Sequence, residues 1–261
     1  MRPVVLEPRP VSSGGFVGGL FVPAARGDRM TRTVVVAGVG PGLGESIVRK
    51  FAAEGCSVGM FARSAEFLDE LEADLDDEGH GVLAVPTDIT DPGAVEAGFE
   101  AVREASGPID TLVNHASAGA WRGLTDISPE AFEEAWRVSA QGALLCSQEA
   151  AEDMLAEDGG TILFTGATSA IRGREGAVGF SSAKFAVRGL AESMARELGP
   201  QGIHVCHIVI DGGIRPPNRD VDDPEAFLDP DAIAESYWHL TQQDRSAWTL
   251  ELDLRPHVED F

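Results

Sequence analysis

Four glycines, Gly38, Gly40, Gly42 and Gly44, fall between the β-branched run Val34-Val35-Val36 and a helical pattern of Ile47, Val48 and Phe51. A turn of this composition lets backbone approach a pyrophosphate, whose charge then meets the N-terminus of the following helix. The spacing is G-x3-G-x-G rather than G-x-G-x-x-G, so the glycines alone also suit a plain strand-to-helix turn. Two further residues sharpen the chemistry. Arg63 directly follows the second apolar run, where an acidic residue would bind a ribose 2′-hydroxyl and an arginine favours a 2′-phosphate. This points to NADP rather than NAD. Asp88 stands just past the third run, where an adenine edge can be read. His204, Cys206 and His207 are metal-ligand types, but on a strand His207 points away from the other two, so no metal site is expected. No Gly-x-Ser-x-Gly elbow is present, which argues against a hydrolase.

The elements needed to position these groups alternate regularly. Strands are expected at 33–37, 56–62, 82–86, 109–113, 161–166, 203–210 and 248–254. Helices are expected after the glycine turn, over 64–79, from Asp91-Pro92, from Ser128-Pro129 to about Glu157, over 180–198 and over 230–240. Asp91 and Ser128 read as helix caps with proline in the first turn. Alternating strands and helices predict an α/β fold: one doubly wound, Rossmann-like parallel sheet in a single three-layer α/β/α domain. The proline-rich stretch at about 211–229 is a candidate substrate loop.

The chain has 261 residues, 43 acidic and 20 basic, for a net charge of −23. Lys50 and Lys184 are its lysines; the other cations are arginines. So acidic a surface repels nucleic acid and anionic membranes, and no apolar run reaches the ~20 residues of a membrane span. The composition suits either a protein adapted to a high-salt cytoplasm or an ordinary acidic protein from a GC-rich genome. Cys56, Cys146 and Cys206 are odd in number and lie in apolar segments, which indicates a reducing, cytoplasmic setting. Residues 1–30, with four arginines, four prolines and Ser-Ser-Gly-Gly, differ from the rest. The expectation is a disordered extension ahead of a domain over 31–261, with a mis-assigned start before Met30 as one account and a targeting peptide as the other.

In this order, the glycine turn, Asp88, Asn114-His115-Ala116-Ser117 and the run GFSSAKFAVRGL at 179–190 resemble the short-chain dehydrogenase/reductase family over about residues 32–254. The resemblance implies an oxidoreductase acting on a small molecule. It also implies a cofactor cradle of Gly38, Gly40, Gly42, Leu43, Gly44, Arg63, Asp88, Ile89, Asn114, His115, Ala116, Lys184, Gly212 and Ile214. The family's catalytic tyrosine sits four residues before a lysine, on one helix face. Here the lysine is Lys184, but Phe180 takes the tyrosine position, Ala167 that of the substrate-orienting serine, and Ser139 that of the asparagine. The sequence looks like a divergent branch with phenylalanine for tyrosine and the lysine retained. Two hypotheses follow: an NADP(H)-dependent enzyme with a degenerate catalytic tetrad, or a non-catalytic dinucleotide-binding module acting as sensor or partner subunit. The resemblance further implies a homodimer or homotetramer paired through the long helices at 129–157 and 180–198.

Overall fold

A computed structural model describes residues 31–217 and 219–259; the expectations for residues 1–30 lie outside it. Seven parallel strands form one sheet in the order β3-β2-β1-β4-β5-β6-β9. They are β1 (Thr33–Ala37), β2 (Ser57–Ala62), β3 (Val82–Pro86), β4 (Thr111–Asn114), β5 (Gly160–Thr165), β6 (Ile203–Ile210) and β9 (Glu251–Leu254). A separate pair, β7 (Gly213–Ile214) and β8 (Phe227–Leu228), lies within the stretch read from sequence as irregular.

Alternation along each strand divides the core. Val34 and Val36 pack with α1 (Leu43–Ala53), α2 (Ala65–Asp77) and α7 (Pro230–Thr241) on one face. Val35 and Ala37 pack with α3 (Pro92–Ser106), α5 (Gly142–Ala156) and α6 (Val178–Leu198) on the other. This is the expected three-layer, Rossmann-like arrangement. Asp91 caps α3 by accepting from Gly93 N (2.8 Å) and Ala94 N (3.1 Å), with Pro92 in the first turn.

The single long helix expected from Ser128 to Glu157 is corrected. It is α4 (Pro129–Trp136), a π turn over Arg137–Gln141, then α5. A π turn adds a residue without interrupting the apolar face, so periodicity does not reveal it. Gly142, just after the turn, crosses close to Ile89: a Cβ there would lie 2.6 Å from Ile89 Cδ1. The last strand is also shorter than expected. Gln243 holds Thr249 through two 2.8 Å hydrogen bonds, which keeps 248–250 outside the parallel ladder.

Candidate active site

Strand order reverses between β1 and β4, and ligands in open α/β sheets bind beyond the carboxyl ends of strands at such a switch point. The glycine turn stands there. Gly38 has φ +111° and lies against β4's outgoing chain: a Cβ would fall 2.4 Å from Ala116 N. Gly42 has φ +98° and caps α1, whose first residue, Leu43, is buried. A Cβ on Gly44 would lie 3.0 Å from Gly38 O, whereas one on Gly40 would meet nothing within 4 Å. The turn is therefore tight on its protein side and open on the other, as close approach by a pyrophosphate requires.

Beside it opens a cleft of about 430 Å³, lined among others by Gly38, Arg63, Asp88, Ile89, His115 and Ala116, a volume in the range of ligand pockets. Six of the expected cofactor positions are thus brought to one cavity. Asp88 Oδ1 accepts from Thr90 N (3.0 Å) and Thr90 Oγ1 (2.8 Å). These bonds, then the charges of Arg63 and Arg137, hold its carboxyl below the usual range. Arg137 and the cleft-lining Val138 both come from the π turn, so sequence reading missed them with the turn itself.

Asn114 is not at the cleft. As the last residue of β4 its side chain faces α5, where Nδ2 donates to Ser147 Oγ at 3.0 Å. It ties strand to helix, because strand alternation sends it to the face opposite Val113. Gly212 and Ile214 are likewise absent from the cleft wall. Ile214 pairs with Leu228 in the small sheet, and Pro217 reaches back to within 3.7 Å of where a Gly42 Cβ would be.

Lys184 is 3% exposed, and its Nζ donates to Thr165 O at 2.8 Å. Burial lowers its pKa from 10.5 to about 8. On its far side Thr165 Oγ1 lies 2.7 Å from Tyr237 Oη and 3.1 Å from His115 Nδ1. Burial, then the Lys184 charge, lowers His115 to about 4, so its imidazole is neutral at pH 7. Tyr237, the chain's one tyrosine, is fully buried on α7. Nothing in its local sequence signals that it reaches β5, 72 residues away.

At the other catalytic positions Phe180 is buried, and its ring stacks on Trp121 with centroids 4.5 Å apart. Lys184 Nζ is 5.7 Å from the Phe180 ring centre. Ser139 sits in the π turn, 2% exposed, its hydroxyl without a protein partner among the described residues. Beside Ala167, the Thr168 hydroxyl is committed to Asp211 at 2.5 Å. Asp211 is 1% exposed and also pairs with Arg172 (3.3 Å) and Arg255 (3.1 Å). Burial pushes its carboxyl up, but the Thr168 hydroxyl and the two guanidiniums more than offset this. Ser181 Oγ accepts from Arg174 N, and Ser182 Oγ donates to Gly179 O. The hydroxyls of Thr165, Thr168, Ser181 and Ser182 are therefore engaged, in contrast to that of Ser139.

His204 stacks on Trp248 and bonds Thr249 O at 2.8 Å, while His207 bonds Glu251 at 3.1 Å, so each histidine has its own neighbours.

Residues 32–221 match the family described as short chain dehydrogenase. A 3α-hydroxysteroid dehydrogenase of Mediterraneibacter gnavus is 31% identical over 176 residues, 67% of this chain and 70% of that protein. A crystal structure of a short-chain dehydrogenase from Rhodopseudomonas palustris superposes with a TM-score of 0.76 at 35% identity, over 87% of this chain and 99% of that one. The 3-ketoacyl-(acyl-carrier-protein) reductase of Brucella melitensis, solved with NADH, gives a TM-score of 0.78 at 25% identity, over 87% of this chain and 97% of that one.

Proposed function

The chain belongs to the short-chain dehydrogenase family, and we propose that it is an NADP(H)-dependent member that reduces or oxidises a small carbonyl or alcohol without the usual tyrosine. The observation that carries the cofactor choice is Arg63. It is exposed at the end of β2, lines the cleft, and makes no ion pair with any described carboxylate. A relative is solved with NADH, which supports the nicotinamide class; Arg63 supports the 2′-phosphate within it.

The residues fit the group they would hold. Gly38, Gly40, Gly42 and Gly44 would receive the pyrophosphate, Arg63 the 2′-phosphate, Asp88 and Ile89 the adenine end, and Lys184 the nicotinamide ribose. The bound cofactor supplies or accepts hydride. The protein's tasks are alignment and proton supply. With Phe180 at the acid position and the hydroxyls of Thr165, Thr168, Ser181 and Ser182 engaged, the Lys184 ammonium, held near pKa 8, is the proton store. Its proton moves to the substrate oxygen, directly or through one water, as the carbonyl carbon is reduced.

A second reading, a non-catalytic dinucleotide sensor, is favoured by one observation: Trp121 lies directly on Phe180, covering the place where the family's acid meets substrate. Fast carbonyl turnover, as distinct from slow residual reduction, decides against it.

Calorimetric titration with NADPH and NADH tests the cofactor assignment. NADPH binds more tightly, and Arg63→Ala weakens it by about 10- to 100-fold, the worth of a charge-assisted hydrogen bond, with NADH changed little. Equal losses for both cofactors would remove the 2′-phosphate assignment.

A further inference from the structure

We infer that the substrate of this site is an oxyanion carried on a flat apolar body, with Arg122 and Arg174 taking its charge; this rests on reading the cleft as a hydride-transfer site. The apolar wall is Phe180 with Trp121 stacked on it, and Trp121 is 50% exposed. The loop carrying Trp121 is fastened on both sides. Ala120 is buried with Ala135 of α4 and Ala183 of α6, and Arg122 O accepts from Val178 N at 3.2 Å. The next turn is equally close: a Cβ on Gly179 would lie 2.7 Å from Ala120 Cβ. Trp121 is thus a built surface above the Lys184 helix.

Two guanidiniums attend it. Arg122 Nη1 donates to Trp121 O at 2.9 Å, and the Arg174 guanidinium carbon is 6.0 Å from the Trp121 ring centre. Arg122 follows β4 and Arg174 follows β5, so both stand on loops at the carboxyl edge of the sheet. Neither has a carboxylate within ion-pair distance among the described residues, although Asp126 and Glu175 are close in sequence. Elsewhere in this strongly acidic chain Arg49, Lys50, Arg103 and Arg188 are each within 4 Å of at least two carboxylates. Two unspent cations beside one aromatic wall, on a molecule of net charge −23, make a local attractor for an anion, separate from Arg63 at the end of β2. Guanidinium forks match carboxylate and phosphate oxygens alike.

The test is calorimetric titration of 2-naphthoate, 2-naphthyl phosphate and the neutral 2-naphthamide, with and without NADPH, at the lowest KCl that keeps the protein folded. At least one anion is expected to bind about tenfold or more tightly than the amide, and the better anion identifies the headgroup. In Arg122→Gln/Arg174→Gln the gap closes to within about threefold while the amide is unchanged. Equal affinities for amide and anions, a gap that survives in the double variant, or no binding of any of the three overturns the inference. NADPH titrated alone separates the two levels. Its failure to bind counts against the proposed function, whereas normal NADPH binding with indifferent naphthyl ligands counts against the substrate class only.

Discussion

An ammonium 3% exposed is costly to keep charged, and that cost is written in the pH dependence of Lys184. Its pKa is about 8 in the fold against an ordinary 10.5. Between these values the unfolded chain holds more protons than the folded one, so stability rises with pH across the window. Below pH 8 the full penalty applies, on the order of 3 kcal/mol. Lys184→Met is therefore expected to stabilise the cofactor-free protein at pH 7, with the gain fading as pH approaches 10.5. Urea midpoints at pH 7 and 10 check this, and a gain independent of pH would contradict it. Phe180→Tyr tests the chemistry itself. Restoring the phenol leaves Ala167 and Ser139 as they are and places the hydroxyl under Trp121, so turnover of simple ketones should rise by less than about tenfold, against the 10²–10⁴ of a well-placed general acid. A larger rise would show that the neighbouring departures are immaterial.

Among the elements, the loop after β6 is held both by its own short sheet and by one buried carboxylate at its start. Asp211 ties its own loop to the stretch after β5 through Thr168 and Arg172, and to the residues after β9 through Arg255. Asp211→Asn keeps the shape and removes the charge. The expected cost is about 1–3 kcal/mol at neutral pH, together with faster amide exchange over Gly212–Arg215. Because the Asp211 pKa is depressed in the fold, its contribution is complete above the unfolded carboxylate pKa and is lost as pH falls through the folded value. The difference between variant and parent should accordingly shrink in acid, and equal stability at pH 7 would assign the loop's order to β7 and β8 instead. The same elements show what was legible beforehand. Strand positions, caps and the glycine turn depend on local composition and periodicity, and their expected boundaries fall near the observed ones. The inward face of Asn114 follows from strand alternation, whereas the π turn and the Tyr237–Thr165–His115 chain depend on what a residue meets across the fold. Residue spacing carries no information about that.

For the molecule as a whole, the sheet and its two helical layers bury an apolar core beneath a surface of mutually repelling carboxylates. Screening relieves that repulsion, so the unfolding midpoint is expected to climb between low and multimolar KCl. A midpoint that stays level or falls would mark the protein as acidic without salt adaptation. The sparing use of lysine has a different consequence. Lys50 is clasped by Glu54 at 2.7 Å and Glu235 at 2.6 Å, which raises its pKa and keeps it protonated in mild base. Lys184 is about half free amine at pH 8. Of the two side-chain amines, only the buried one beside Phe180 is then substantially unprotonated in mild base. Between its two lysines, an acylating or imine-forming electrophile small enough to reach the buried amine is expected to prefer Lys184 over Lys50.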